Sequence, residues 1–132
     1  MKEIFKNENL TLKHDADKDL LVQHWYGELD ELKYKSNMLE IVKLSDTGYN
    51  SKYNLIYPNL GFIITVELQA WSYENVLTKA TRLEKVAFIV PESILEHMIE
   101  VMSMEQTMEE AESLYETRYF VTVEEAMQWL SD

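Results

Sequence analysis

The spacing of apolar residues changes several times along this chain, and each change marks an element. Leu10 and Leu12 alternate with Thr11 and Lys13, the period-two pattern of a strand. Polar residues 15–19 read as a turn, and Leu20-Leu21-Val22-Gln23-His24-Trp25-Tyr26 as a second strand closed by Gly27. So short a connection predicts an antiparallel hairpin. Over residues 29–44 the period lengthens, with Leu29, Leu32, Leu39 and Val42 at helical spacing and Gly48 as the stop. Asp30 or Glu28 suits the positive end of that helix.

Tyr53-Asn54-Leu55-Ile56-Tyr57 is a short apolar strand halted by Pro58. Thr65 then stands where a helix N-cap is wanted, with Glu67 in the first turn. The helix it opens is predicted to reach about residue 83, along a stripe of Val66, Ala70, Tyr73, Leu77 and Ala80. Val86-Ala87-Phe88-Ile89-Val90 is apolar without alternation, as a strand covered on both faces is. Ile94, Leu95, Met98, Ile99 and Met102 mark another amphipathic helix, and Thr107-Met108-Glu109-Glu110 is a capping-box pattern for a short one after it. Residues 117–121 form a last strand, and Thr122-Val123-Glu124-Glu125 caps a terminal helix carrying Ala126, Trp129 and Leu130.

The order is β-β-α-β-α-β-α-β-α. Strands alternating with helices predict an α/β fold with a mixed, mainly parallel sheet of about five strands. An antiparallel N-terminal hairpin should lie at one edge, with helices packed on the sheet. The 132 residues have the length of one domain, and no repeat or Pro/Gly/Ser linker divides them. A chain of this size buries roughly two thirds of its unfolded surface without a covalent staple.

Composition narrows the chemistry. There is no cysteine, which removes disulfides, thiolate nucleophiles and zinc–sulfur sites. The formal net charge is −12, from 24 acidic against 12 basic residues. Phosphate backbones and anionic membranes are repelled by that balance, so nucleic acid is not an expected partner. No run approaches the roughly 18 apolar residues of a membrane span. The first eight residues have no continuous apolar stretch, so no secretory signal is expected and the reading is cytoplasmic.

Candidate motifs are few. Asp15, Asp17 and Asp19 have the spacing that starts a calcium loop, but Leu20 stands where that loop needs Gly and Tyr26 where it needs Glu. A solvated turn is the expectation. His14, His24 and His97 lack metal-ligand spacing, so no metal or other cofactor is expected. Glu109, Glu110 and Glu112 read as a solvated helix face. No nucleophile elbow or phosphate-cradling glycine loop is present, and no catalytic residue is assigned.

The chain resembles the SpoIIAA-like branch of STAS domains, grouped with lipid-binding CRAL-TRIO-type folds. The resemblance lies in Tyr53-Asn54-Leu55-Ile56-Tyr57, in residues 62–71, in Val86-Ala87-Phe88-Ile89-Val90-Pro91-Glu92, and in residues 105–107, 118–120 and 124–130. It implies a non-enzymatic domain that binds a protein partner in bacterial regulation, or else a carrier of a small molecule or lipid. The best-known members are switched by phosphorylation of a Ser at the start of the helix after the central strand. Here the Asp-Ser-Ser-Gly-like signature is missing, and Thr65 is the sole hydroxyl of residues 59–65, so it is read as a cap.

In an open α/β sheet, ligands sit beyond the carboxyl ends of the parallel strands. Asn59, Gly61, Thr65 and Ser93 are the polar or permissive residues at that edge. A small anionic or lipid ligand is the chemistry they would take, since helix N-termini there favour negative charge.

Overall fold

The computed structural model describes residues 1–96 and 115–132. Six strands form one sheet in the order of the chain: β1 (Lys2–Lys6), β2 (Leu10–Asp15), β3 (Leu20–Trp25), β4 (Tyr53–Tyr57), β5 (Lys85–Ile89) and β6 (Glu116–Phe120). The first three pair antiparallel, and β3 to β6 pair parallel. Among the described residues the helices are α1 (Glu31–Leu44), α2 (Val66–Asn75) and α3 (Val123–Leu130), and residues 92–96 are also helical. The fold is the expected mixed α/β sheet with its antiparallel N-terminal hairpin. The sixth strand is β1, which lies outside β2 and takes the edge position expected for β2. The helix foreseen beyond residue 96 and the capping box at Thr107 lie outside the described residues.

Strand alternation splits the core in two. Leu10, Leu12, Leu21 and Trp25 point to one face, under Tyr34 and Ile41 of α1 and Leu68 of α2. Leu20, Val22, Leu55 and Ala87 point to the other, under Ala126, Trp129 and Leu130 of α3. Crossovers of one hand that step the same way along a sheet leave their helices on the same face, which puts α1 and α2 together. Helix α3 follows the last strand and has no further strand to reach. It folds back over β5 and β6 on the opposite face. Strand β3 is buried on both sides, which explains its nearly continuous apolar sequence.

The caps are local and follow the sequence. Asp30 accepts the Lys33 N–H at 2.8 Å, Thr65 the Leu68 N–H at 3.2 Å, and Thr122 the Glu125 N–H at 3.3 Å. Gly48 closes the widened turn after α1 at φ 108°. Gly27 sits at φ 75°, where an added Cβ would come within 2.8 Å of the Glu8 carbonyl oxygen. That turn needs glycine for both reasons.

The helix stripes differ from those expected. Leu32 is 79% exposed and Leu39 is also exposed, whereas Tyr34, Asn37 and Ile41 are the buried residues of α1. Asn37 fits inside because its Oδ1 accepts from Asn7 Nδ2 at 2.7 Å and its Nδ2 donates to the Lys33 carbonyl at 2.8 Å. In α2 the inward residues are Leu68 and Ser72, not Val66 and Tyr73, and the helix ends at Asn75. A short 3₁₀ turn, Leu77–Lys79, leads on to β5.

Candidate functional site

The carboxyl edge of the parallel strands is built by the loops after β3, β4, β5 and β6. Asn59, Gly61 and Thr65 share the β4–α2 loop. Asn59 Oδ1 accepts the Gly61 N–H at 3.0 Å, and Asn59 Nδ2 donates to the Gly27 carbonyl at 2.9 Å. One amide therefore ties the β4–α2 loop to the β3–α1 loop. The Thr65 hydroxyl is engaged as the α2 cap. An added Cβ at Gly61 would meet only ordinary contact, so no backbone approach demands glycine there. Ser93 is exposed within the helical residues 92–96 that follow β5, and makes no side-chain hydrogen bond to the other three. Asn59, Gly61 and Thr65 thus share one loop while Ser93 follows another strand, and Asn59 and Thr65 are already committed to turn and cap.

The same loops carry exposed apolar side chains. Phe62 turns inward, 5.3 Å from the Tyr34 ring, which itself lies 5.5 Å from Trp25. Anchoring Phe62 leaves Leu60 and Ile63 facing outward, Ile63 at 82% exposed. Val66 is 78% exposed, and Val121 and Val123 stand out after β6. Acidic side chains surround them: Glu28, Glu67, Glu92, Glu124 and Glu125 are all exposed, and none makes an ion pair among the described residues. Glu67, Glu92, Glu124 and Glu125 sit in first helical turns, which favour carboxylates, and Glu28 lies in the loop before α1.

A second region lies on the sheet face that α3 covers only in part. His24 on β3 faces Thr11 on β2 and Tyr57 on β4 in register. Its ring stacks on Tyr57 at 4.2 Å between centroids and 8° between planes. Burial and then Lys13 hold the imidazole below its ordinary pKa, because both disfavour a second positive charge. Burial and then Glu124 push the Tyr57 phenol up. A shallow cavity of about 270 Å³ opens here, lined by Glu3, Lys6, Thr11, Lys13, His24 and Tyr26. Sequence reasoning weighed His24 only as a histidine without metal-ligand spacing and did not bring these residues together, because they meet only through cross-strand pairing. The one signal was the polar half of the β2 alternation, Thr11 and Lys13.

The Asp15–Asp17–Asp19 spacing has a structural use. Asp15 accepts the Asp17 and Lys18 N–H groups at 3.1 and 3.3 Å, and Asp19 pairs with Arg82. Among the described residues no three His, Asp or Glu side chains gather as a metal site, and no helix is long and apolar enough to cross a membrane. His14 meets Tyr49 edge-on at 5.0 Å between ring centroids, and His97 lies outside the described residues.

No family model, curated protein or solved structure matches this chain.

Proposed function

We propose that this chain is a non-enzymatic, STAS-like domain whose job is to bind a protein partner at the carboxyl edge of its parallel strands. The observation that carries the reading is the concentration of exposed Leu60, Ile63, Val66, Val121 and Val123 along that edge. Apolar side chains that a fold leaves in water at one place mark an interaction surface. The carboxylates among them choose the occupant: a partner whose surface is apolar and basic, such as an amphipathic segment with lysines or arginines along its flanks. The net charge of −12 acts in the same direction at long range. An antiparallel hairpin followed by parallel βα units supports the STAS-like reading. A carrier of a small molecule or lipid has less support, because two cavities on the described surface, at His24 and at His14, are open to solvent rather than enclosed.

A synthetic leucine–lysine amphipathic peptide, titrated into labelled protein, tests the surface. Amide shifts should cluster at residues 60–66 and 121–123, and binding should weaken with salt. Ile63→Asp and Val66→Asp, both on exposed side chains, should abolish the shifts without unfolding the protein. Equal binding of a leucine–glutamate peptide, or shifts confined to β1 and β2, would overturn the proposal.

A further inference from the structure

Strand β1 departs from regular pairing at one point. Glu3 pairs with Lys13 and Phe5 with Leu12, so Ile4 is the extra residue of a bulge. In an unbroken strand Glu3 and Lys6, three positions apart, would point to opposite faces. The bulge changes this. Ile4 and Phe5 both pack on the core side, and Glu3 and Lys6 both line the cavity on the other.

The cavity has a sign opposite to the protein that carries it. Lys6 and Lys13 stand against Glu3 alone, in a chain of net charge −12. Neither lysine makes an ion pair among the described residues. The His24 ring is oriented by its stack on Tyr57, and among the described residues neither of its nitrogens has a hydrogen-bond partner. The hydroxyls are otherwise occupied. Tyr26 donates its one proton to the Asn7 carbonyl at 2.8 Å, so Thr11, 2.7 Å from it, donates to Tyr26. They form a wall, and the free donors are the two ammonium groups and the imidazole.

We propose that this cavity binds a small organic anion bearing a phosphate or carboxylate group, held by Lys6 and Lys13 and hydrogen-bonded by His24. Its volume of about 270 Å³ lies just below the usual range of small-molecule sites, which leaves room only for a compact anion. The site lies on the sheet face beside the carboxyl ends of β3 and β4, is lined by none of the exposed apolar residues of the edge, and stands whether or not that edge binds a partner. Binding is linked to protons. The groups facing His24 are Thr11 and Lys13 from β2, Glu3 and Lys6 from β1, and Tyr57 from β4 with Glu124 of α3 behind it. An anion there offsets Lys13 and raises the imidazole pKa from its lowered value, so affinity increases as pH falls toward the pKa of the free site.

The test is an NMR titration with inorganic phosphate and, separately, succinate, at constant ionic strength set with chloride. Shifts should centre on Thr11, Lys13 and the His24 ring, with the His24 titration moving to higher pH. Lys13→Gln should weaken binding by about tenfold, roughly the loss of one charge-assisted contact. Glu3→Gln, which removes the one opposing carboxylate, should tighten it, an effect that a merely structural role for β1 would not produce. Response to phosphate alone would assign the site to phosphate, and response to succinate alone to carboxylates. Shifts elsewhere, an unmoved His24 titration, or indifference to Glu3→Gln would each overturn the proposal.

Discussion

At Thr65 a single hydroxyl satisfies a backbone N–H that the first turn of α2 cannot pair by itself. Thr65→Ala should cost about 1 kcal/mol. Urea unfolding should show a lower midpoint with an unchanged slope, since the surface exposed on unfolding stays the same. Phosphate on Thr65 would break this cap, so its recovery from native protein would contradict the capping role. His24 sets a pH dependence instead. Its folded pKa lies below 6.5, so between the two values the unfolded chain binds more protons. Stability is therefore complete above 6.5 and declines as pH falls through the window toward the folded value. His24→Gln should flatten that decline in denaturation midpoints measured across the window. A slope unchanged by the substitution would place the titration at another group.

Among the elements, α3 has the most to lose from one side chain. Trp129 packs 5.7 Å from Phe120, lies under Lys85 and Arg118 at 5.1 and 5.2 Å, and offers its carbonyl to Lys85 Nζ at 2.8 Å. Trp129→Ala should destabilise the protein by about 3–5 kcal/mol, read from the unfolding midpoint. Helix α3 was legible because its apolar positions lie on one side and its cap is two residues' worth of local chemistry. Helix α1 was legible in its bounds but not in its inward face, because Leu32 and Leu39 compete with Tyr34 and Ile41, and a hydrogen bond from distant Asn7 helps bring Asn37 inside. Strand β1 was hidden by its own bulge, which interrupts the alternation that signals a strand. The candidate edge divides in the same way. The parallel-strand rule pointed to Asn59, Gly61, Thr65 and Ser93 from the order of the elements alone. The amide of Asn59 reaching across to Gly27, like the stack of His24 on Tyr57, arises from strands that meet only after folding.

Taken whole, the molecule separates its surfaces by sign and polarity: an acid-ringed apolar edge, and a cationic hollow on the sheet. Both rest on a sheet whose strands are laid side by side in chain order. In its parallel half Leu20 pairs with Tyr53, Tyr53 with Lys85 and Lys85 with Glu116, so each new strand arrives after a step of about thirty residues. No strand must insert between two already joined. During synthesis the β1–β3 meander can close first from nearby contacts, and each later unit then needs only the exposed flank of the last. An assembly that grows from one side keeps a single open margin at every stage. The lysines and bulge of β1 make the opposite margin a poor template for pairing with another chain throughout that growth.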